Sequence, residues 1–88
     1  MQESIRIEIY SRPGCHLCDE AKGVIEPFSS RFPLELTVTN VDSSPDLRAA
    51  YGTEIPVVMI NGIEAFRHRV DARALERKLK ELWKPSIS

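Results

Sequence analysis

Cys15 and Cys18 are the two cysteines of this chain, and they frame the tetrapeptide Cys15-His16-Leu17-Cys18. A separation of three places two sulfurs on one face of a helix, within reach of a disulfide. Ahead of them runs an apolar-alternating segment, Ile5 to Tyr10, and then a Pro13-Gly14 break. Behind them runs a helical-looking stretch, Asp19 to Phe28. A cysteine between a strand exit and a helix entry meets unpaired backbone N–H groups and the positive end of the helix dipole. Both favour thiolate over thiol, and the thiolate is the nucleophile of disulfide exchange. The expected chemistry has two steps. Cys15, nearer the helix end and the more exposed, attacks a substrate disulfide to form a mixed disulfide. Cys18, one turn further on, attacks Cys15 and releases the product.

Rival uses of the pair fare worse. Zinc fingers share the spacing, but structural zinc takes four ligands. His16 and His68 are the remaining imidazoles, and His16 lies inside the Cys15–Cys18 loop, a poor place from which to join both sulfurs on one metal. No metal is expected. Haem attachment wants histidine directly after the second cysteine, where this chain has Asp19. Two inert buried cysteines are the plain alternative, against which stands the Pro-Gly at a helix start, where exposure is expected. As imidazolium, His16 would favour the Cys15 thiolate; equally, it is a solvent-facing side chain in a first turn.

The elements that must position the pair fit a single domain over residues 1–88. A net charge of −1 gives no electrostatic case for nucleic acid or an anionic membrane. The longest apolar run, Val57 to Ile60, is far short of the roughly 20 residues of a membrane helix. Met1 to Ser4 carry neither the basic nor the apolar region of a signal peptide. A reducing, cytoplasmic compartment and a monomer are therefore expected.

Ile5, Ile7 and Ile9 alternate with polar neighbours and predict a strand. Pro27 should kink the following helix or end its regular part near Glu26. Leu34, Leu36, Val38 and Val41 suggest a second strand ending at Asp42. Ser43-Ser44-Pro45-Asp46 reads as a cap and a short helix, with Leu47, Ala50 and Tyr51 on one apolar face and Gly52 as its stop. Thr53 to Ile60 form a third strand entered through Pro56. Asn61-Gly62 is a strong hairpin signal, with Ile63 to Arg67 returning. Asp71 caps a last helix with Ala72, Leu75, Leu79, Leu82 and Trp83 inward. Phe28, Phe32, Phe66 and Trp83 are expected in the core, and Met1–Ser4 and Pro85–Ser88 loosely held. The order β-α-β-α-β-β-α implies a parallel first pair, an antiparallel hairpin and a four-stranded mixed sheet between helices, an α/β fold.

A proline at the head of a buried strand either sits where no ladder bond is needed or holds a cis peptide, and trans is the commoner state. Here a resemblance bears on the choice. Cys15-x-x-Cys18, the segment Thr53-Glu54-Ile55-Pro56 and the element order together resemble the thioredoxin fold. Ile9-Tyr10-Ser11-Arg12-Pro13-Gly14-Cys15-His16-Leu17-Cys18 is similar to the active-site segment of glutaredoxins, which carries a basic residue where this chain has Arg12. The resemblance spans essentially the whole chain and implies a thiol-disulfide oxidoreductase. It implies a cis Pro56, with the Ile55 backbone hydrogen-bonding the substrate's cysteinyl unit. It implies protein or glutathione disulfides as partners, with glutathione as co-substrate. Cys15 and Cys18 are the expected catalytic residues, and Arg12, His16, Ile55 and Pro56 the substrate contacts.

The chain also departs from these patterns. His-Leu stands between the cysteines where glutaredoxins have Pro-Tyr. Phe66-Arg67-His68-Arg69-Val70-Asp71 replaces a Gly-Gly pair and Asp that form part of their glutathione site. Arg67, His68 and Arg69 either meet glutathione carboxylates or form a solvated hairpin end, and the second is the expectation. Thioredoxins carry Asp where this chain has Ile9. Two other functions stay open: a [2Fe–2S] cluster bridged between two chains by Cys15 with glutathione, and a redox-inactive module that binds a peptide beside Pro56.

Overall fold

The computed structural model describes residues 4–83. Apart from Ser4, the expectation for the two chain ends lies outside these residues. Strand β1 (Ile5–Ser11) is followed by helix α1 (His16–Ile25), β2 (Leu34–Asn40), α2 (Pro45–Tyr51), β3 (Val57–Ile60), β4 (Ile63–Arg67) and α3 (Ala72–Leu82). The strands lie in the order β2-β1-β3-β4. β1 pairs parallel with β2, and β3 is antiparallel to both β1 and β4. This is the α/β arrangement, a mixed four-stranded sheet with three helices, that the element order predicts.

Alternation along β1 sends Ile5, Ile7 and Ile9 to one face, where they are buried with Val58 and Ile60 from β3. Ile25, Phe28, Phe32, Leu75 and Leu79 cover that face, so α1, the turn after it and α3 form one layer. Each fully buried aliphatic side chain contributes roughly 1.5–3 kcal/mol. Tyr10 points to the other face and stacks on Tyr51 of α2, with ring centroids 4.8 Å apart and planes at 10°. Helices thus lie on both faces, but α2 is short and covers only the end of the sheet where β1 finishes.

The end of α1 falls where Pro27 predicts, and other boundaries move. α1 begins at His16 and yields at Glu26 to a 3-10 turn, Glu26–Ser30, with Pro27 in it. Proline has no N–H to continue the helical ladder, so Phe28 leaves the regular helix while staying buried. β2 stops at Asn40, because Asn40 caps a second 3-10 turn, Val41–Ser43, through its side chain. Ala50 is exposed, and α2 buries no residue fully. In α3, Leu75 and Leu79 are buried, whereas Ala72 and Leu82 are exposed and Trp83 is half-buried against Phe32. An apolar residue reaches the core only where another layer faces it, and no layer faces these two helix ends. Gly52 has ordinary helical φ of −57°; its need for glycine is spatial, since a Cβ there would lie 2.5 Å from the Arg48 carbonyl.

The hairpin turns at Asn61 (φ 52°) and Gly62 (φ 83°), the left-handed pair that a two-residue hairpin requires. Asn61 also ties the turn to β1. Its N–H donates to the Arg6 carbonyl at 2.8 Å, and its Oδ1 accepts the Arg6 N–H at 2.9 Å.

Candidate active site

One end of the sheet gathers most of the residues expected to act. β1 and β2 finish there side by side, with Ser11 opposite Asn40. β3 begins there, Tyr10 lying opposite Val57, and β4 ends there, Val57 lying opposite Arg67. Arg12, the Cys15 loop, Pro56 and His68 are therefore neighbours by topology, although 56 sequence positions separate the outermost.

Gly14, with φ of +80°, reverses the chain after β1, a conformation that a side chain there would strain. The Cys15 N–H then donates to the Arg12 carbonyl at 3.1 Å. Cys15 takes the N-cap position of α1, with φ −80° and ψ 113°. Its carbonyl accepts the Asp19 N–H at 3.2 Å, and its Sγ accepts the Cys18 N–H at 3.3 Å. The sulfur thus receives one of the unpaired amides of the helix start, the end of the dipole that suits negative charge.

The two thiols differ. Cys15 is half-buried, and Cys18 is buried with 2% of its surface exposed. Burial foremost, and then a hydrogen bond to Cys15, push the Cys18 thiol up to about 11, partly offset by the Arg12 backbone. Cys18 is therefore held as a thiol at neutral pH beside the more open Cys15.

Arg12 directs its guanidinium fork at Asp42, Nε donating to Oδ2 at 2.8 Å and Nη2 to Oδ1 at 3.1 Å. Arg48 Nε lies 3.8 Å from the same carboxylate. Arg12 holds the Asp42 carboxyl below the usual carboxylate range. Asp42 had no signal of its own. A signal did exist in the parallel β1–β2 pair, which brings residues just past both strand ends together.

The Ile55–Pro56 peptide is cis, and Pro56 is buried. Neighbouring backbone groups are bonded, Glu54 N–H to the Tyr51 carbonyl and His68 N–H to the Pro56 carbonyl, each at 2.8 Å. Ile55 itself makes no backbone hydrogen bond to another described residue outside the regular elements, so its peptide groups are available to an extended partner. His16 stands apart. Its side chain is 87% exposed, and its Nε2 lies 3.5 Å from Glu20 Oε1, one turn along α1.

Sequence reasoning did not foresee the bonding of the loop after β4. His68 adopts φ of 66°, a region that histidine enters more often than most residues, and no neighbour in the sequence announces it. Arg67 is paired with Glu64, and Glu54 lies by both Arg67 and His68. Among the described residues, no three His, Cys, Asp or Glu side chains are grouped to hold a metal ion. None of the described helices is long and apolar enough to cross a membrane.

Comparison with known proteins gives the same picture. The sequence profile of the Glutaredoxin-like domain (DUF836) matches residues 6–80. A glutaredoxin-like protein of Dictyostelium discoideum is 30% identical over 91 residues, which cover 97% of this chain and 84% of that protein. The solution structure of a protein from Nitrosomonas europaea superposes with a TM-score of 0.78 at 26% identity, over 90% of this chain and 95% of that one. A mutant thioredoxin from Halobacterium salinarum superposes with a TM-score of 0.62 at 19% identity, over 90% of this chain and 74% of that one. At that identity the likeness concerns the fold alone.

Proposed function

The chain belongs to the glutaredoxin-like domain family of the thioredoxin fold, and from that premise we propose that it is a thiol-disulfide oxidoreductase. The observation that carries this reading is the inequality of the two sulfurs. Cys15 is the half-open one that accepts a helix N-terminal amide, and Cys18 is the buried thiol beside it. Cys15, as thiolate, attacks one sulfur of a substrate disulfide. The substrate S–S bond breaks, a Cys15–substrate disulfide forms, and the other substrate sulfur departs as thiolate. Cys18 then attacks Cys15 Sγ: the Cys15–Cys18 disulfide forms, the Cys15–substrate bond breaks, and the second substrate sulfur departs, the Cys18 proton passing to a released thiolate. The protein ends oxidised by two electrons and the substrate reduced by two.

Pro56 and Ile55 would hold the substrate chain across the site, the free Ile55 peptide groups pairing with an extended segment, as strand addition does elsewhere. Arg12 would keep positive charge at the strand end from which the Cys15 loop departs. The cycle needs a thiol reductant to restore the dithiol, which a reducing compartment such as the cytoplasm supplies.

Cys18→Ser tests the order of attack. Incubated with a protein disulfide, this variant should accumulate a mixed disulfide on Cys15, seen as a mass adduct and mapped by peptide digestion. An adduct on neither the Cys18→Ser nor the Cys15→Ser variant, with no turnover in the parent protein, would sink the proposal.

A further inference from the structure

Glu54 lies two residues before Pro56, at the rim of the proposed substrate groove, and it faces the cationic loop after β4. Its Oε2 lies 2.7 Å from His68 Nε2 and 4.0 Å from Arg67 Nη1. Arg67 is engaged on its other side as well, Nε and Nη2 donating to the two carboxylate oxygens of Glu64. The backbone closes the arrangement, since the His68 N–H donates to the Pro56 carbonyl at 2.8 Å. Three basic residues stand in a row in the sequence, Arg67, His68 and Arg69. In the folded molecule two of them already face an internal carboxylate. Arg69 has no ion-pair partner among the described residues.

Beside this cluster runs a groove of about 480 Å3 between α1 and the segment before α3. Leu17, Ala21 and Val24 line one wall and Val70 the other, with Glu20, His68 and Arg69 at its polar margin. Leu17, inside the Cys15–Cys18 loop, is 37% exposed. This surface suits an apolar side chain close to the sulfur under attack.

We propose that Glu54 is a specificity-determining residue: its carboxylate occupies His68 and lies beside Arg67, the basic side chains that a carboxylate of the incoming disulfide would otherwise meet. The site thereby favours a protein disulfide flanked by apolar residues over a small disulfide bearing carboxylates near its sulfur. The inference deepens the dithiol reading and rests on it for the reaction, though not for the binding. The size of the effect is bounded by exposure. The Glu54, Arg67 and His68 side chains are 35%, 42% and 53% exposed, and ion pairs so placed change an affinity by only a few-fold.

The test separates binding from chemistry. S-methylglutathione carries two carboxylates and no reactive sulfur, and its affinity is measured by NMR titration at low ionic strength. Glu54→Gln should bind it roughly three- to fivefold more tightly than the parent protein. In an Arg67→Gln/His68→Gln background the same Glu54→Gln change should give no gain. Should the amide disturb the loop, as circular dichroism would show, Glu54→Ala serves in its place. Equal or weaker binding by a folded Glu54 variant, or an undiminished gain without Arg67 and His68, overturns the proposal. In parallel, stopped-flow oxidation of the reduced proteins compares glutathione disulfide with bis(2-hydroxyethyl) disulfide. The ratio of the two rate constants should rise in Glu54→Gln, and an unchanged ratio counts against the role assigned to Glu54. If neither disulfide oxidises the parent protein, it is the dithiol reading that fails, and the binding comparison still decides the role of Glu54.

Discussion

Helices α1 and α3 begin in nearly the same way and to opposite ends. Cys15 and Asp71 both take the N-cap position, with φ/ψ of −80°/113° and −87°/119°. Each carbonyl accepts the first helical bond, from Asp19 at 3.2 Å and from Leu75 at 2.9 Å. Each side chain accepts an amide of the first turn, Cys15 from Cys18 at 3.3 Å and Asp71 from Arg73 at 3.1 Å. The amide lies three residues on for Cys15 and two for Asp71, and the larger difference is the accepting atom. A carboxylate oxygen is a strong acceptor, so Asp71 stabilises the helix. Sulfur is a weak acceptor, so Cys15 contributes little to stability and keeps its electron pair for chemistry. One backbone arrangement thus serves stability in one helix and, on the proposed function, reactivity in the other.

Exchanging the atom is the sharpest way to break this comparison. Cys15→Ser should lower disulfide reduction on the order of a thousandfold or more, because a hydroxyl without an adjacent base is no nucleophile at neutral pH. The same change should raise stability by about 0.5–1 kcal/mol, since serine is a preferred N-cap, and the melting temperature by a few degrees in a domain of this size. An insulin-reduction assay beside a thermal melt reads both. A serine variant that melts below the parent protein would show that Cys15 caps as well as an oxygen does, and the contrast with Asp71 would fail.

The second cysteine gives a smaller effect with a definite sign. Burial and the bond to Cys15 push the Cys18 thiol up from an ordinary 9.0 to about 11. Between those values the unfolded chain has lost a proton that the folded chain keeps. The contribution of Cys18 is therefore fully present below pH 9 and is lost as pH rises through about 11. Urea midpoints measured from pH 8 to 11 should fall by up to about 2–3 kcal/mol in free-energy terms. Cys18→Ala should flatten that part of the curve, and an equal decline in the variant would assign the loss to other groups. Asp71 has no counterpart to this, because α3 buries no ionisable group beside its cap.

What the sequence discloses follows the range of the interactions involved. Period-2 alternation over Ile5–Ile9, the Asn61-Gly62 turn, Pro27 at the end of α1 and the Asp71 cap are local devices, and each predicts its element within a few residues. Cys15 and Cys18 are legible for the same reason, being one turn apart. Burial in α2 and at the ends of α3 was misjudged at Ala50, Ala72 and Leu82, because an apolar face says nothing about whether a layer stands opposite it. The ion pairs at the site were illegible for a related reason. Arg12 meets Asp42 across 30 positions, and Glu54 meets His68 only because β3 and β4 fold back on each other. Residues 67–69 read as a solvated hairpin end, and the carboxylates that pair with Arg67 and His68 there emerge only from the register of the sheet. The cis peptide at Pro56 was legible only through family resemblance, since the residues alone leave trans the commoner state.

The smallest expected effects compare two oxygen caps with each other. Ser44 caps α2 through a bond to the Leu47 N–H at 3.5 Å, and Asp71 caps α3 at 3.1 Å. The helices behind them differ more than the bonds do. α3 carries Leu75 and Leu79, both fully buried, whereas α2 has no buried residue. Fraying the first turn of α3 reaches Leu75 within one turn and loosens the core, whereas fraying α2 exposes little that was not already exposed. Asp71→Ala should therefore cost about 1 kcal/mol and Ser44→Ala about half of that or less. Urea unfolding of the two variants measures the gap. Equal losses would mean that neither the shorter bond nor the layer behind the cap matters; a larger loss at Asp71 is the expected outcome, to which its shorter bond and the buried layer behind it both contribute. The second outcome fits Cys15 as well, because α1 is held by Ala21 and Ile25 in the core and so tolerates a weak sulfur cap at the position where the proposed chemistry needs one.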